Sequence, residues 1–160
     1  RGVDLDKIEP IEDVTFLRGD MTAPDTVSRV LQATEGVADI VISDMSPNIS
    51  GASATDHARS IHLCEMALEF AGKVLVRDGV FVCKVFEGDM FPEFLVTLRK
   101  SFRDIKISNP PASRLASSEV YVVAQGFKGP GKYPPLPKPR AWHEWDPLPP
   151  SRRPQQDAAE

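Results

Sequence analysis

Ala38-Asp39-Ile40-Val41-Ile42-Ser43, closing on Asp44, is the stretch that decides the fold. It is too short for an ordinary helix, and its centre is β-branched and apolar without alternation. A continuous apolar centre of this kind marks a strand of a parallel sheet, covered on both faces. The loop that follows, residues 44–55, is rich in Ser, Pro, Asn and Gly. Such a loop at the carboxyl end of a parallel strand is where an open α/β sheet places its chemistry.

The pattern repeats downstream. Residues 56–76 predict a long helix, with Leu63, Met66, Ala67, Phe70 and Val74 forming one apolar stripe and Asp78-Gly79 stopping it. Residues 80–86 predict the next buried strand, interrupted by one charge, Lys84. Pro92 suits the first turn of another helix, whose inner stripe is Phe91, Phe94, Leu95, Leu98 and Phe102. Residues 104–108 alternate as a strand, Asn109-Pro110-Pro111 breaks it, and residues 119–127 form the last strand. Upstream, Gly2-Val3-Asp4-Leu5 and residues 14–17 read as strands. Pro24 and Asp25 open a short helix bearing Val27, Val30 and Leu31.

Alternation of strand and helix implies an α/β fold with a mostly parallel sheet. The last two strands have no helix between them, so they pair antiparallel at the sheet edge. The expected architecture is a Rossmann-like doubly wound sheet with an antiparallel last strand. The chain starts at Arg1, in mid-element, so the expected sheet lacks its first strand. Residues 1–128 are assigned to one catalytic domain. Residues 129–160 hold nine of the 15 prolines, and are expected to form an extended or disordered tail. Trp142 and Trp145 in that tail are read as loosely packed.

With 160 residues, 41% hydrophobic and 26% charged, the chain can build one ordinary globular core. No apolar run reaches the roughly 20 residues of a membrane helix. Cys64 and Cys83 are too few for a disulfide framework and lie in apolar segments, so they read as buried thiols. A net charge of −4 does not advertise nucleic-acid binding, although a total conceals local patches.

Acidic residues stand at three strand ends, Asp4, Asp20 and Asp44, and Lys84 stands near the end of a fourth. Asp4 occupies the place where a carboxylate meets the vicinal hydroxyls of a nucleotide ribose. A turn or cap aspartate is the plainer alternative, and Asp6 a rival. From the next strand end, Asp20 can accept from the exocyclic amine of an adenine; the alternative is helix capping, for which Thr22 is also available. Asp44 either faces the site or builds the turn that Pro47 and Gly51 shape. A lysine amid apolar residues and near carboxylates is a candidate general base, against a lysine snorkelling from a strand end. Glu119 gains interest only if the antiparallel edge carries it to Lys84. His57, His62 and His143 read as surface histidines.

Ser43-Asp44-Met45-Ser46-Pro47-Asn48-Ile49-Ser50-Gly51, then Lys84-Val85-Phe86-Glu87-Gly88, then Ser113-Arg114 and Ser118-Glu119-Val120-Tyr121, resemble the RrmJ/FtsJ family of ribosomal RNA 2′-O-ribose methyltransferases. The resemblance runs from Arg1 to about Phe127. It implies a catalytic Lys-Asp-Lys-Glu tetrad, of which Asp44, Lys84 and Glu119 are the second, third and fourth members. The first lysine and the glycine-rich cofactor loop would precede Arg1. It implies S-adenosyl-L-methionine held by Asp4, Asp20 and Asp44, no metal, and a ribose 2′-hydroxyl, by family likeness a uridine's, as nucleophile. The implied partner is ribosomal RNA or the large ribosomal subunit, with no membrane. The 160 residues alone are expected to bind cofactor poorly and to transfer nothing. A compact domain with a short tail fits bacterial or mitochondrial members, so mitochondrion is the expected compartment and cytoplasm the alternative. Competing readings are a methyltransferase with another acceptor and a non-catalytic RNA-binding or ribosome-assembly factor. A dehydrogenase is disfavoured, because no second domain is in view.

Overall fold

The computed structural model describes residues 1–34, 37–109 and 119–129. The elements run β1 (Gly2–Asp4), β2 (Phe16–Arg18), α1 (Pro24–Ala33), β3 (Ala38–Ser43), α2 (Ser53–Val74), β4 (Leu75–Phe86), α3 (Phe91–Ser101), β5 (Phe102–Ser108) and β6 (Glu119–Phe127). Their order and type are those the sequence predicts. The tail beyond residue 129, with Trp142, Trp145 and His143, lies outside the described residues, as do Ser113, Arg114 and Ser118.

The main sheet has the order β3-β4-β6-β5. β3 and β4 are parallel, with Ile42 opposite Val82 and Ser43 opposite Cys83. β6 runs antiparallel to both of its neighbours, β4 and β5. The last strand is therefore antiparallel, as expected, but it sits inside the sheet and β5 takes the edge. β1 and β2 form a separate parallel pair.

Strand periodicity places the core. Phe81, Cys83 and Val85 of β4 and Val120, Val122 and Ala124 of β6 point to one face and are buried. Helix α2 covers that face with Ile61, Cys64, Ala67 and Ala71, and α3 with Phe91, Phe94, Leu95 and Leu98. Phe102 joins them, its ring 6.2 Å from Phe81 and 5.3 Å from Phe127. Cys64 and Cys83 are free and buried, as expected. Burial and the Cys64 thiol alongside push the Cys83 thiol up, the hydrogen bond to Cys64 being the larger cause.

Three sequence expectations about the fold need correction. The α2 stripe that packs on the sheet is Ile61, Cys64, Ala67, Ala71 and Val74; of the predicted stripe, Leu63, Met66 and Phe70 turn toward a cavity instead. The helix is apolar on two faces, and small side chains let it approach β4 closely. Secondly, β3 is not covered on both faces. Ile40 and Ile42 are 56% and 70% exposed. Both α2 and α3 lie on the opposite face, and among the described residues no helix covers theirs.

The helix–strand junction also comes earlier than the sequence predicts. α2 ends at Val74, and β4 begins at Leu75. Asp78 takes a left-handed φ of 67°, and β3–β4 pairing shifts register beside it. Gly79 follows because a Cβ there would lie 2.8 Å from the carbonyl oxygen of Val76.

Among the described residues, β3 pairs only with β4, and β1 only with β2. Residues of β1, β3, α1 and α2 together line one cavity of about 2240 Å³. The space lies between the two sheets.

Candidate active site

Asp44 is the first residue after β3 and belongs to the loop that leaves it. Lys84 lies on β4 one residue past the Ser43–Cys83 pair and two before the strand's end at Phe86, opposite Tyr121 of β6. Alternation turns Lys84 away from the helix-covered face, since its neighbours Cys83 and Val85 both enter the core. Tyr121 and Glu119 share the Lys84 face. The three carboxyl and amino groups expected from the sequence are thus on one side of the sheet.

The Lys84 Nζ lies 3.3 Å from Oδ1 of Asp44. The Tyr121 hydroxyl donates to the same oxygen at 2.8 Å. The lysine side chain is only 15% exposed, whereas that of Asp44 is 66% exposed. A sheltered amine thus meets an open carboxylate at the mouth of the sheet. Tyr121 has its hydroxyl pKa raised, first by the hydrogen bond to Asp44, then by desolvation and by the charges of Asp44 and Glu119. Glu119 stands opposite Phe86, one diagonal step from Lys84 in the ladder. Diagonal neighbours on one face are about 7–8 Å apart, within reach of long side chains.

The three carboxylates assigned to a cofactor, Asp4, Asp20 and Asp44, all line the large cavity. Asp4 and Asp20 also serve the local turns that the sequence left as alternatives. Oδ1 of Asp4 accepts from the amide of Asp6 at 3.0 Å. Oδ1 of Asp20 accepts from the amide of Thr22 at 2.8 Å and from its hydroxyl at 2.7 Å. Those two bonds, the backbone one first, hold the Asp20 carboxyl below the usual range. Neither Asp20 nor Thr22 caps α1; the N-cap is Ala23, without a side-chain hydrogen bond. A carboxylate has two oxygens, so a turn and a ligand can share one side chain.

The sequence reading missed three side chains of α2 that hold the site's backbone. Asp56 is buried and accepts from the amide of Ser50 at 2.9 Å, its hydroxyl at 2.7 Å and the amide of Gly51 at 3.1 Å. The Ser50 amide is the main cause of its lowered pKa, followed by the Ser50 hydroxyl, against an opposing desolvation. Ser60 accepts from the amide of Phe86 at 3.0 Å. His57, expected on the surface, is buried between Phe86 and Met90. The correction has a visible cause: 57, 60, 61, 64, 67 and 71 lie on one helix face, and an unbroken apolar stripe elsewhere drew the reading away. Among the described residues, no cluster of three or more His, Cys, Asp or Glu side chains is arranged to hold a metal ion. No described helix is long and apolar enough to cross a membrane.

The donor set fits a nucleoside. Carboxylates at successive strand ends suit vicinal hydroxyls and an exocyclic amine, and Met21, Val27 and Leu31 supply apolar wall. An open α/β sheet with acids at its strand ends and an antiparallel inner strand defines the class of Rossmann-like methyltransferases. Residues 1–127 match the model of the FtsJ-like methyltransferase family, and the chain belongs to that family.

The chain is 44% identical over 124 residues to ribosomal RNA large subunit methyltransferase E of Methanothrix thermoacetophila, covering 78% of this chain and 49% of that one. It is likewise 44% identical over 126 residues to the protein of the same name from Marinobacter nauticus, covering 78% of this chain and 61% of that one. The chain thus spans about half to three-fifths of the length of these curated relatives. A crystal structure of a ribosomal RNA methyltransferase from Plasmodium falciparum superposes with a TM-score of 0.70 at 22% identity, over 81% of this chain and 72% of that one, and supports the fold.

Proposed function

We propose that the whole protein is an S-adenosylmethionine-dependent 2′-O-ribose methyltransferase acting on large-subunit ribosomal RNA. The observation that carries the reading is the Lys84–Asp44 pair, 3.3 Å apart on the open face of the sheet, beside a cavity lined by three strand-end carboxylates. The acceptor assigned is the 2′-hydroxyl of a uridine, on the strength of the sequence likeness to the FtsJ family.

When bound, S-adenosylmethionine supplies a methyl group on a sulfonium that is already a good leaving group. Asp4 is assigned to its ribose hydroxyls, Asp20 to its adenine amine, and Asp44 to the reacting end. A 2′-hydroxyl is a weak nucleophile at neutral pH. Lys84 is assigned as the acceptor of the hydroxyl proton as the oxygen bonds to the methyl carbon. Asp44 fixes the amine in place, and Tyr121 fixes Asp44. Glu119 faces the same region from β6. In-line positioning then supplies much of the rate.

The cavity is larger than the reading's cofactor requires. Ordinary ligand sites occupy about 300–1,000 Å³, against about 2240 Å³ here. Two strand edges border the space, β1 and β3, each paired on one side only among the described residues. We assign the surplus to a further strand of the whole protein, which joins β1 to β3 and brings a phosphate- or nucleoside-cradling loop to the strand ends. Unsatisfied strand edges favour such pairing.

The test is transfer of labelled methyl from S-adenosylmethionine to large-subunit ribosomal RNA by the whole protein. The product sought is a ribose 2′-O-methyl, recognised because it blocks alkaline cleavage of the adjoining phosphodiester. Label on protein alone, or on a base, contradicts the reading.

A further inference from the structure

We propose that His57 is a positioning residue for the transfer step. Seated behind the sheet on α2, it ties together the end of β4 that follows Lys84 and the turn into α3. The proposal deepens the reading above and rests on it.

The geometry is specific at each atom. Nε2 of His57 accepts from the amide of Met90 at 3.0 Å. The proton therefore sits on Nδ1, which donates to the carbonyl oxygen of Phe86 at 2.9 Å. One ring spans residues 86–90, and only one tautomer satisfies both contacts. Two further α2 side chains act on the same stretch: Ser60 accepts from the Phe86 amide at 3.0 Å, and the Cys64 thiol donates to the carbonyl of Lys84 at 3.1 Å. Lys84 itself points to the opposite face. The helix thus grips the backbone of Lys84 and Phe86 from behind while the amine works in front.

The adjoining residue completes the device. Asp56, one position before His57, holds the amides of Ser50 and Gly51 in the loop that begins at Asp44. The first turn of α2 therefore touches both segments whose separation sets the Lys84–Asp44 contact. A third observation shows how tightly the histidine is seated. A Cβ on Gly88 would lie 2.7 Å from Cγ of the His57 ring. That ring is buried and held at both nitrogens, so it cannot swing aside cheaply.

The experiment uses the whole protein with His57→Asn, Gly88→Ala and the double variant. Asparagine can keep a donor at the Nδ1 position for the Phe86 carbonyl, but is too short to present an acceptor at the Nε2 position for the Met90 amide. Gly88→Ala displaces the ring without altering it. A misplacement of about 1 Å costs on the order of 100-fold in rate, so each single variant is expected to lower kcat by about 10- to 100-fold. KM for S-adenosylmethionine should stay within about twofold, since Asp4 and Asp20 lie elsewhere and the contacts of His57 itself fall on Phe86 and Met90 and not on the Asp44 loop. Met90 amide exchange should speed at least about tenfold in His57→Asn, with the thermal midpoint little changed. The double variant should lose less than the product of the singles, because both act on one contact.

Unchanged kcat in both single variants overturns the proposal. So does a loss of kcat with Met90 protection intact, or a loss that tracks global unfolding. If the wild type transfers no methyl to RNA, the functional reading fails on its own. The clamp is then judged by the Lys84 side-chain NMR signals in His57→Asn: a shift upholds the positioning, and an unmoved signal overturns it.

Discussion

Ile42→Ala in the whole protein weighs the open sheet face against a covered one. In the structure Ile42 is 70% exposed, on the face of β3 that no described helix covers. Fully burying such a side chain is worth about 1.5–3 kcal/mol. With three-tenths of it covered, truncation should cost only about 0.5–0.9 kcal/mol. If a further strand and its connection close over the cavity, Ile42 becomes a core residue. Truncation then forfeits the transfer energy and leaves a void, at about 2–4 kcal/mol. The account predicts the larger value. The assay is urea unfolding, read as a shift in midpoint at constant slope. Val96→Ala, at a position 51% exposed on α3, serves as the control and should stay within about 0.5 kcal/mol. A cost below about 1 kcal/mol for Ile42→Ala would refute the closed sheet.

Three further outcomes follow from named contacts. Leu98→Ala empties a position with no exposed surface between α3 and β4, and should cost about 2–5 kcal/mol in thermal or urea unfolding. Tyr121→Phe removes the donor to Oδ1 of Asp44, a carboxylate that water reaches readily; the lost bond is worth about 1 kcal/mol, so methyl transfer should fall by less than about tenfold, and a loss matching that of a missing lysine would contradict the division of roles. Asp20 has its pKa depressed by Thr22, so its contribution to stability is fully present above its ordinary value of 3.8 and is lost as pH falls through the folded value. Thr22→Val removes the hydroxyl bond, and the Asp20 midpoint in a carboxyl NMR titration should rise; an unmoved midpoint would contradict the assigned cause.

Much of the fold was legible because its elements carry separate, strong signals. The apolar runs at 38–43 and 119–127 have the bounds of β3 and β6, and Pro92 with its stripe marks α3. Helix α2 was harder to read, because Leu63, Met66 and Phe70 form as regular a stripe as Ile61, Cys64 and Ala71. Periodicity reports that a face is apolar, and only the sheet decides which face it meets. The end of α2 was misplaced because Asp78 adopts a positive φ within β4, a local choice that stop signals do not distinguish from a helix terminus. Strand order was equally hidden: β6 enters between β4 and β5 through pairing across distant sequence.

At the site, strand-end acids and a charged residue inside an apolar strand were readable one residue at a time. Their convergence was not, since Asp44 and Tyr121 meet only through the β3-β4-β6 ladder. His57 was missed for a related reason. A histidine's surface prior holds until its two nitrogens find backbone partners, and those partners lie about thirty residues away in the chain.

The most direct test of the central claim compares the whole protein with its Lys84→Ala variant in labelled-methyl transfer from S-adenosylmethionine to large-subunit ribosomal RNA. General-base removal of this kind costs about 10²- to 10⁴-fold. The account predicts a loss in that range, with folding and cofactor affinity kept. Near-normal 2′-O-methylation by the folded variant would contradict it.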